Sequence, residues 1–497
     1  ILLDPTVLIF LSSGVFLGWS LGANDAANVF GTAVGSRMVR FTTAAIICGI
    51  FVVLGAYVSG TGAAQTLGKL GAVNAIGGSF MAALAAGLAV YWMTKLGLPV
   101  STTQAIIGSI IGWNLFSDSY TDISSLFKIL STWIICPLLS ALIAAFLFFL
   151  AKKFVRKMGI GLIRFDGYTR LALILAGAFG AYSLGANNIA NVMGVFVPVA
   201  PFPDIQFGHG FSITSAQQLF LVGGLAIAVG VFTYSKKVMM TVGSELMTLT
   251  PLAAWVAVMS HSIVLFLFAS ERLEQLLANM SLPTIPLVPV SSSQAVVGAV
   301  VGIGMLQGGR EIHWPRIYGI AKGWVITPLI SCLLCFVGLY FLQNVFQQTV
   351  QRDSNYELSP SVIEKFQKEG IETSGLHELT GKVFRSSAEV VRAVKDKVNL
   401  SSKQGLQVVE YSLQINLIVS EEKIAYLDKK VLSSKQMAAL SKLEGQKYNF
   451  PWQLGDALSE ISPEWIVSGG GLKDKLHDRD IKQKLAYLYR IFQRREI

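Results

Sequence analysis

Long apolar stretches restrict the fold of this chain more than any other feature of its sequence. The stretches at residues 41–58, 80–94, 129–150 and 218–232 contain no charged side chain. A helix that spans a membrane needs about 20 mainly apolar residues. Only 14% of the 497 residues are charged, whereas a soluble globular protein carries about 25%. We therefore predict an all-α polytopic membrane domain over residues 1–350 rather than a soluble bundle of very apolar helices.

The composition of the chain changes near Gln347. The segment QQTVQRDSNYELSPS is polar, and the chain that follows it is rich in charged residues and contains no cysteine. Val390, Val394 and Val398 recur there at helical spacing. We predict a mostly helical, soluble accessory domain over residues 351–497. It contains no catalytic constellation, and no segment of the chain has the P-loop spacing, so we expect a protein that is not an enzyme and holds no organic cofactor.

The apolar part contains two copies of the same motifs in the same order. SLGANDAANVFGTAVG, which begins at Ser20, recurs as SLGANNIANVMGVFVP, which begins at Ser183. LPVSTTQAIIGSIIG recurs in the same way as VPVSSSQAVVGAVVG. Repeated halves with broken helices are typical of secondary transporters. We therefore predict two membrane repeats, at residues 1–160 and 161–350.

The charges of equivalent loops indicate that the two repeats have opposite orientations. The loop after SLGANDAANVFGTAVG carries Arg37 and Arg40, whereas its counterpart VPVAPFPDIQFGHG carries no lysine or arginine. The loop NLFSDSYTD is acidic, and its counterpart GGREIHWPRIYGIAKG is basic. Cytoplasmic loops are enriched in lysine and arginine, so the opposite bias predicts inverted-topology repeats.

The loop between the two repeats is strongly basic. We expect this central loop to be cytoplasmic and the protein to be a multi-pass protein of the cell (inner) membrane. The net charge of +10 is then explained by such loops, because the sequence offers no basic face with interleaved aromatic residues for a nucleic acid. The basic side chains of the central loop are Lys152, Lys153, Arg156, Lys157, Arg164 and Arg170.

Two hydroxyl motifs, PVSTTQ at residues 99–104 and PVSSSQ at residues 289–294, are expected to bind an anion. Proline favours the start of a helix, so the hydroxyls would lie in the first turn beside free backbone N–H groups. Two re-entrant helical hairpins in inverted halves would meet near the middle of the membrane and suit a tetrahedral oxyanion. The alternative is that the hydroxyls only cap kinked helices. The candidate ligands are Ser101, Thr102, Thr103, Gln104, Ser291, Ser292, Ser293 and Gln294.

Two Asn motifs, GANDAAN at residues 22–28 and GANNIAN at residues 185–191, place amide and carboxylate oxygens in apolar surroundings. Such hard ligands suit Na⁺, and Gly22 and Gly31 would allow the helix to break or another backbone to approach closely. The alternative is that these polar side chains only hold helices together. The candidate sodium ligands are Asn24, Asp25, Asn28, Asn187, Asn188, Asn191, Thr66 and Glu245. Three of the same side chains are also candidate ligands of the anion, namely Asp25, Asn28 and Asn191.

Taken together, these motifs resemble the inorganic phosphate transporter family, the sodium- or proton-coupled phosphate permeases. The family signature Gly-Ala-Asn-Asp-x-Ala-Asn matches residues 22–28, and the hairpin Pro-(Ile/Val)-Ser-Thr-Thr matches residues 99–103 and 289–293. Leu-Thr-Pro at residues 249–251 also fits, and the resemblance covers about residues 7–345. It implies transport of inorganic phosphate, an inverted-repeat fold, and binding by the Asn and hydroxyl motifs.

Three features depart from the family pattern. Asn188 replaces an aspartate, Gln104 and Gln294 stand where the hairpins often carry histidine, and the C-terminal domain lies outside the common core. The loss of two titratable histidines weakens proton coupling, and His261 and His313 lack the spacing of metal ligands. We therefore predict a symporter of inorganic phosphate and co-transported Na⁺.

Two other functions are compatible with the same residues. One is a proton-coupled permease for phosphate or a related oxyanion such as arsenate or sulfate. The other is a transporter-like phosphate sensor that signals through the C-terminal domain. The expected partners are inorganic phosphate, sodium ions and the lipid bilayer, with a homodimer as a further option and no nucleic acid.

Overall fold

The chain folds into two compact units. In this computed structural model the described residues are 5–70, 73–95, 100–158, 161–200, 202–207, 211–236, 238–239, 247, 249–425, 427, 431–469 and 472–493. The first unit consists of Ile1–Ser117, Thr121–Glu271 and Ile285–Arg352, and the second of Asp118–Tyr120, Arg272–Thr284 and Asp353–Ile497.

Helices dominate the chain as far as residue 344. A 3₁₀ turn at Gly194–Val199 follows the seventh helix, and a short antiparallel hairpin of β1 (Ile205–Phe207) and β2 (Phe211–Ile213) precedes the eighth. The helices are α1 (Pro5–Gly35), α2 (Phe41–Ser59), α3 (Thr61–Leu70), α4 (Ile76–Lys95), α5 (Thr102–Phe116), α6 (Ile123–Met158), α7 (Leu162–Met193), α8 (Ser215–Thr233), α9 (Pro251–Ala269), α10 (Glu271–Asn279), α11 (Ser292–Leu306) and α12 (Trp314–Asn344).

Eight helices in the described parts of the chain are long and apolar enough to cross a membrane, namely α1, α2, α4, α6, α7, α8, α9 and α12. Large apolar side chains stand exposed along these helices, for example Leu138 and Leu142 on α6. Such exposure is costly in water and favourable against lipid. The all-α polytopic membrane fold predicted from the apolar stretches is confirmed, and the protein is a multi-pass membrane protein.

The two hydroxyl motifs begin a pair of shorter helices. Helices α5 and α11 have 15 residues each, a length of about 22 Å, which is less than the ~30 Å of a bilayer's hydrocarbon core. Val100 and residues 280–291, which lead into these helices, are not helical. The non-helical backbone therefore includes the first described residues of each hydroxyl motif, directly before α5 and α11. That the two segments are re-entrant remains a prediction.

The Asn motifs, in contrast, do not break their helices. Helix α1 is continuous through Gly22 and Gly31, and α7 is continuous through the second Asn motif. Of the two options expected for Gly22 and Gly31, a helix break and a close approach of another backbone, the break is therefore wrong. Gly22 serves close packing instead, because a Cβ placed on it would lie 2.0 Å from the carbonyl oxygen of Ile227 in α8. Only glycine permits two backbones to approach so closely.

The helices of the two halves interlock in a reciprocal way. Helix α1 of the first half packs on α8 of the second, and α2 of the first half packs on α7 of the second. A Cβ placed on Gly185 of α7 would lie 2.1 Å from the carbonyl oxygen of Val52 in α2. This close approach matches the one between Gly22 and Ile227. Each Asn-motif helix is thus held by the opposite half.

The hydroxyl-motif helices repeat this exchange. Gly108 of α5 packs on the carbonyl oxygen of Pro328 in α12, and Gly298 of α11 packs on the carbonyl oxygen of Pro137 in α6. In each case a Cβ placed on the glycine would lie 2.1 Å from that oxygen. Equivalent glycines therefore contact equivalent prolines across the halves. These contacts show how the duplicated motifs share one core, while the repeat boundaries and their inversion remain predictions.

The C-terminal part of the second unit is also mostly helical. Two-residue strands form two small antiparallel sheets, β3 (Tyr356–Glu357) with β4 (Val383–Phe384) and β5 (Leu417–Ile418) with β6 (Lys447–Tyr448). Its helices are α13 (Pro360–Lys368), α14 (Ser387–Lys395), α15 (Ser402–Ser412), α16 (Glu421–Ala425), α17 (Ser434–Ser441), α18 (Pro451–Ile461) and α19 (Leu472–Phe492), with 3₁₀ turns at Leu376–Leu379 and Pro463–Trp465.

This C-terminal part contains two copies of one small module. In the first module, the backbone N–H of Gly381 donates to the carbonyl oxygen of Leu358. In the second module, the backbone N–H of Gly445 donates to the carbonyl oxygen of Val419 in the same way. Both glycines have positive φ, +79° and +80°, a conformation that favours glycine. Each is followed by the second strand of its sheet and then by a helix, α14 or α18. Each module also has its own cluster of buried apolar side chains.

Candidate functional site

The Asn motifs of α1 and α7 meet at the Asp25 carboxylate. Asp25 Oδ1 accepts a hydrogen bond from Asn24 Nδ2 at 3.1 Å, and Asp25 Oδ2 accepts one from Asn188 Nδ2 at 3.2 Å. The Asp25 residue is 2% exposed. No lysine or arginine in the described ranges forms an ion pair with it. A buried carboxylate held only by neutral amides is expensive to ionise, and a cation would stabilise it.

The first asparagine of each Asn motif holds the hydroxyl motif of its own half. Asn24 Nδ2 donates to the Val100 carbonyl oxygen at 3.2 Å. Asn187 Nδ2 donates to the Val288 carbonyl at 3.4 Å, and Asn187 Oδ1 accepts from the Val290 N–H at 3.0 Å. These amides therefore satisfy the backbone just before α5 and α11, where no helical hydrogen bond is available.

The last asparagine of each Asn motif reaches the opposite half. Asn28 Nδ2 donates to Ser292 Oγ at 3.0 Å, and Asn191 Nδ2 donates to Thr103 Oγ1 at 2.8 Å. Thr103 Oγ1 in turn donates to the Val290 carbonyl at 3.2 Å, which links the two hydroxyl motifs directly. The four motifs thus form a single buried polar cluster, called here the motif cluster.

Ser101 and Ser291 cap the helices that they precede. Ser101 Oγ accepts from the Gln104 N–H at 3.3 Å, and Ser291 Oγ accepts from the Gln294 N–H at 3.2 Å. The capping alternative therefore describes these two serines correctly. Because each capping oxygen acts as an acceptor, the hydrogen of each hydroxyl is still available for donation. Ser291 Oγ lies 3.1 Å from Ser293 Oγ.

Several buried polar atoms of the motif cluster have no hydrogen-bond partner among the described residues. They are Gln104 Nε2 and Oε1, Thr102 Oγ1, Gln294 Oε1 and Asn191 Oδ1. An unsatisfied buried donor or acceptor costs about 1–3 kcal/mol. Both donors and acceptors occur in this group, which fits a ligand pair that contains an anion and a cation.

Comparison with known proteins identifies the family of the chain. The sequence profile described as the phosphate transporter family matches residues 21–274 and 277–490. This chain belongs to the phosphate transporter family. The resemblance drawn from the Asn and hydroxyl motifs is thereby confirmed.

Two curated relatives of this phosphate transporter family member carry names that refer to phosphate. A protein of Thermococcus kodakarensis named as a phosphate permease is 26% identical over 407 residues, which cover 67% of this chain and 96% of the relative. The inorganic phosphate transporter 2-1, chloroplastic, of Arabidopsis thaliana is 24% identical over 447 residues, which cover 69% of this chain and 73% of the relative.

A solved structure shares the fold. The structure titled "The sodium-dependent phosphate transporter" is 23% identical to this chain, with a TM-score of 0.53. The match covers 68% of this chain and 99% of the solved chain. At this identity the likeness concerns the fold alone.

One predicted sodium ligand, Thr66, is bonded outside the motif cluster. Thr66 Oγ1 donates to the Leu287 carbonyl at 2.6 Å, a bond that holds the non-helical segment before α11. Thr66 therefore has a structural partner and no hydrogen bond to the Asn motifs. Glu245 lies outside the described residues. The other predicted ligands all belong to the motif cluster or to the first turns of α5 and α11.

His261 of α9 contacts the motif cluster and was missed by the sequence interpretation. Its Nε2 lies 2.8 Å from Ser292 Oγ, and its Nδ1 has no partner among the described residues. His261 is fully buried. Spacing to other metal ligands was the wrong criterion for this residue. The useful signal was a histidine within a membrane-spanning helix, since such residues commonly line ion or substrate pathways.

Proposed function

We propose that this member of the phosphate transporter family carries inorganic phosphate across the membrane together with sodium ions, and that both bind at the motif cluster. The observation that carries the proposal is the crossed bonding of the motifs, Asn28 to Ser292 and Asn191 to Thr103. It joins the candidate cation ligands of each half to the candidate anion ligands of the other. A change at one set of ligands therefore alters the other set directly.

Phosphate fits the helix starts of α5 and α11. The N-terminus of a helix offers free N–H groups and the positive end of the helix dipole. The Thr102 hydroxyl and the Gln104 amide add donors that have no protein partner among the described residues. Because the four motifs contain no lysine or arginine, the negative charge of phosphate must be balanced by helix ends and by a bound cation.

Sodium fits the Asp25 side of the motif cluster. Carboxylate and amide oxygens are hard ligands, and the Asn191 Oδ1 atom has no partner among the described residues. The amides of Asn24 and Asn188, which now donate to Asp25, would present their oxygens to the ion after rotation. A cation that favours phosphate binding is favoured by phosphate in return, which couples the two ligands.

Asn188 sets the number of carboxylates in the two Asn motifs to one. The equivalent position in the first motif is Asp25, and the two side chains are in direct contact. With one carboxylate instead of two, each bound sodium ion leaves more positive charge uncompensated by protein. That charge favours the binding of phosphate, which carries one to two negative charges near neutral pH.

A second candidate function, proton-coupled transport, is favoured by His261. From the sequence, the replacement of hairpin histidines by Gln104 and Gln294 argued against protons. His261, however, brings a titratable ring to Ser292 in the same cluster. A proton-coupled cycle needs such a group, and histidine side chains within membrane-spanning helices serve as proton relays in transporters.

Uptake by reconstituted protein distinguishes these functions. The full chain is placed in proteoliposomes, and radiolabelled phosphate uptake is measured with an inward sodium gradient, with an inward proton gradient, and with neither. We expect the sodium gradient alone to drive uptake, with arsenate competing more strongly than sulfate as the closer mimic of phosphate. Equal uptake with the proton gradient in sodium-free buffer would refute sodium coupling. Phosphate binding without any uptake would support the sensor.

A further inference from the structure

A groove separate from the motif cluster lies beside the basic central loop. It is formed by the C-terminal part of α6, the beginning of α7 and the first turns of α9, and it has a volume of about 710 Å³. All of its lining residues belong to the first unit. Leu147, Leu150, Phe154, Phe165 and Trp255 form most of the apolar wall.

The groove lies at the boundary between apolar and basic parts of α6. The uncharged stretch of this helix ends at residue 151, and four basic residues follow between positions 152 and 157. Lipid headgroups meet a membrane protein at such a boundary. Phe154 and Tyr168 line the groove and are 64% and 59% exposed, so the described residues leave more than half of each of them uncovered.

The charge at the groove is positive. Residues 152–170 contain six basic residues and one acidic residue, Asp166, so the net charge of this segment is +5. Asp166 pairs with Arg170 at 3.4 Å. Lys153 and Lys157 line the groove, and neither forms an ion pair with a carboxylate in the described parts of the chain.

We propose that this groove binds an anionic phospholipid, with an acyl chain along the apolar wall and the phosphodiester at Lys153 and Lys157. Basic pockets between membrane-spanning helices bind anionic headgroups. A free anion would gain nothing from contact with the apolar wall, whereas an acyl chain would be buried by it. A second copy of the chain would bring the same net charge of +5 to a self-complementary interface, and like charges would repel.

The geometry of α6 supplies a matched control. Lys152 and Arg156 lie on the same helix as Lys153 and Lys157 but do not line the groove. Lys152 Nζ instead lies 5.9 Å from the ring centroid of Phe148, which is not a groove residue either. The variants K153Q/K157Q and K152Q/R156Q therefore remove the same charge from the same helix, inside and outside the groove.

Lipid binding by the purified full chain tests the proposal without measuring transport. The detergent-solubilised protein is titrated with phosphatidylglycerol and with phosphatidylcholine of identical acyl chains, and bound lipid is counted by native mass spectrometry. We expect tighter binding of phosphatidylglycerol by at least about tenfold. K153Q/K157Q should weaken phosphatidylglycerol binding about 30-fold, because each lysine contributes about 1 kcal/mol, or roughly fivefold in affinity. K152Q/R156Q should bind phosphatidylglycerol within a few-fold of the unmodified chain.

A second variant tests the apolar wall. Ala172→Trp fills the groove and keeps every charge, so phosphatidylglycerol binding should fall while Lys153 and Lys157 remain. Equal binding of the two lipids, or equal losses in the two charge variants, would overturn the proposal in favour of diffuse surface charge. Displacement of the lipid by millimolar inorganic phosphate would overturn it in favour of a soluble-anion site.

Discussion

Asp25→Asn is the most informative substitution in the motif cluster. Asp25 is the one acidic residue of the two Asn motifs, and asparagine has nearly the same shape. Two unit charges about 4 Å apart interact by about 4 kcal/mol at an effective dielectric constant of about 20. That energy corresponds to about a thousand-fold change in affinity. We therefore expect sodium-dependent phosphate uptake to be abolished at sodium concentrations that saturate the unmodified protein.

The assay is the sodium dependence of phosphate uptake in proteoliposomes, with correct insertion checked by monodispersity after purification. Folding should be preserved, because the substitution removes a buried charge that only neutral amides contact. The exchange variant D25N/N188D is the matched control, since it retains one carboxylate and one amide at positions in direct contact. It should recover part of the uptake. Near-normal uptake by Asp25→Asn alone would remove Asp25 from the sodium site.

Three further substitutions test separate parts of the structure. Asn188→Ala should reduce sodium-dependent uptake less than Asp25→Asn, because it removes an amide and no charge; the reverse order would contradict the inferred asymmetry. His261→Ala should weaken the apparent phosphate affinity about tenfold, because the buried Ser292 hydroxyl loses one hydrogen-bond partner. His261→Gln should weaken that affinity less. If the unmodified protein shows proton-driven uptake and His261→Gln loses it, the result would instead favour proton coupling. Gly22→Leu should prevent assembly, measured as monodisperse yield, because the Ile227 backbone occupies the required space, whereas Gly68→Leu, with nothing within 4 Å, should be tolerated; equal yields would refute the close packing of α1 and α8.

The sequence was sufficient for the membrane fold because spanning a bilayer imposes length and polarity directly on local sequence. The helix starts after Ser101 and Ser291 were also predictable, since a proline followed by hydroxyl residues is a local signal. The family was predictable for a similar reason, because the Asn and hydroxyl motifs are short, duplicated and specific.

Other features depend on partners that are distant in the sequence. Glycine permits either a helix break or close packing, and only the position of Ile227 against Gly22 decides between them. Asn28 and Ser292 are 264 positions apart, so their contact follows from the exchange of helices between halves rather than from spacing. His261 was missed because its partner Ser292 lies on another helix.

The C-terminal modules show the same limit in another form. Their shared framework consists of a left-handed glycine and one pair of backbone hydrogen bonds per module, at Gly381 and Gly445. Around the two glycines, the segments LTGKVF and LEGQKY have in common a leucine, the glycine and an aromatic residue, so the duplication is clearer in the backbone than in the sequence.

The most direct test of the central claim is simultaneous measurement of radiolabelled sodium and phosphate entry into the same proteoliposomes. If both ligands bind together at the motif cluster, sodium entry should require external phosphate, phosphate entry should require external sodium, and both should be lost together in Asp25→Asn. Sodium entry that is unchanged when phosphate is omitted, or phosphate entry at the full rate without sodium, would contradict the account.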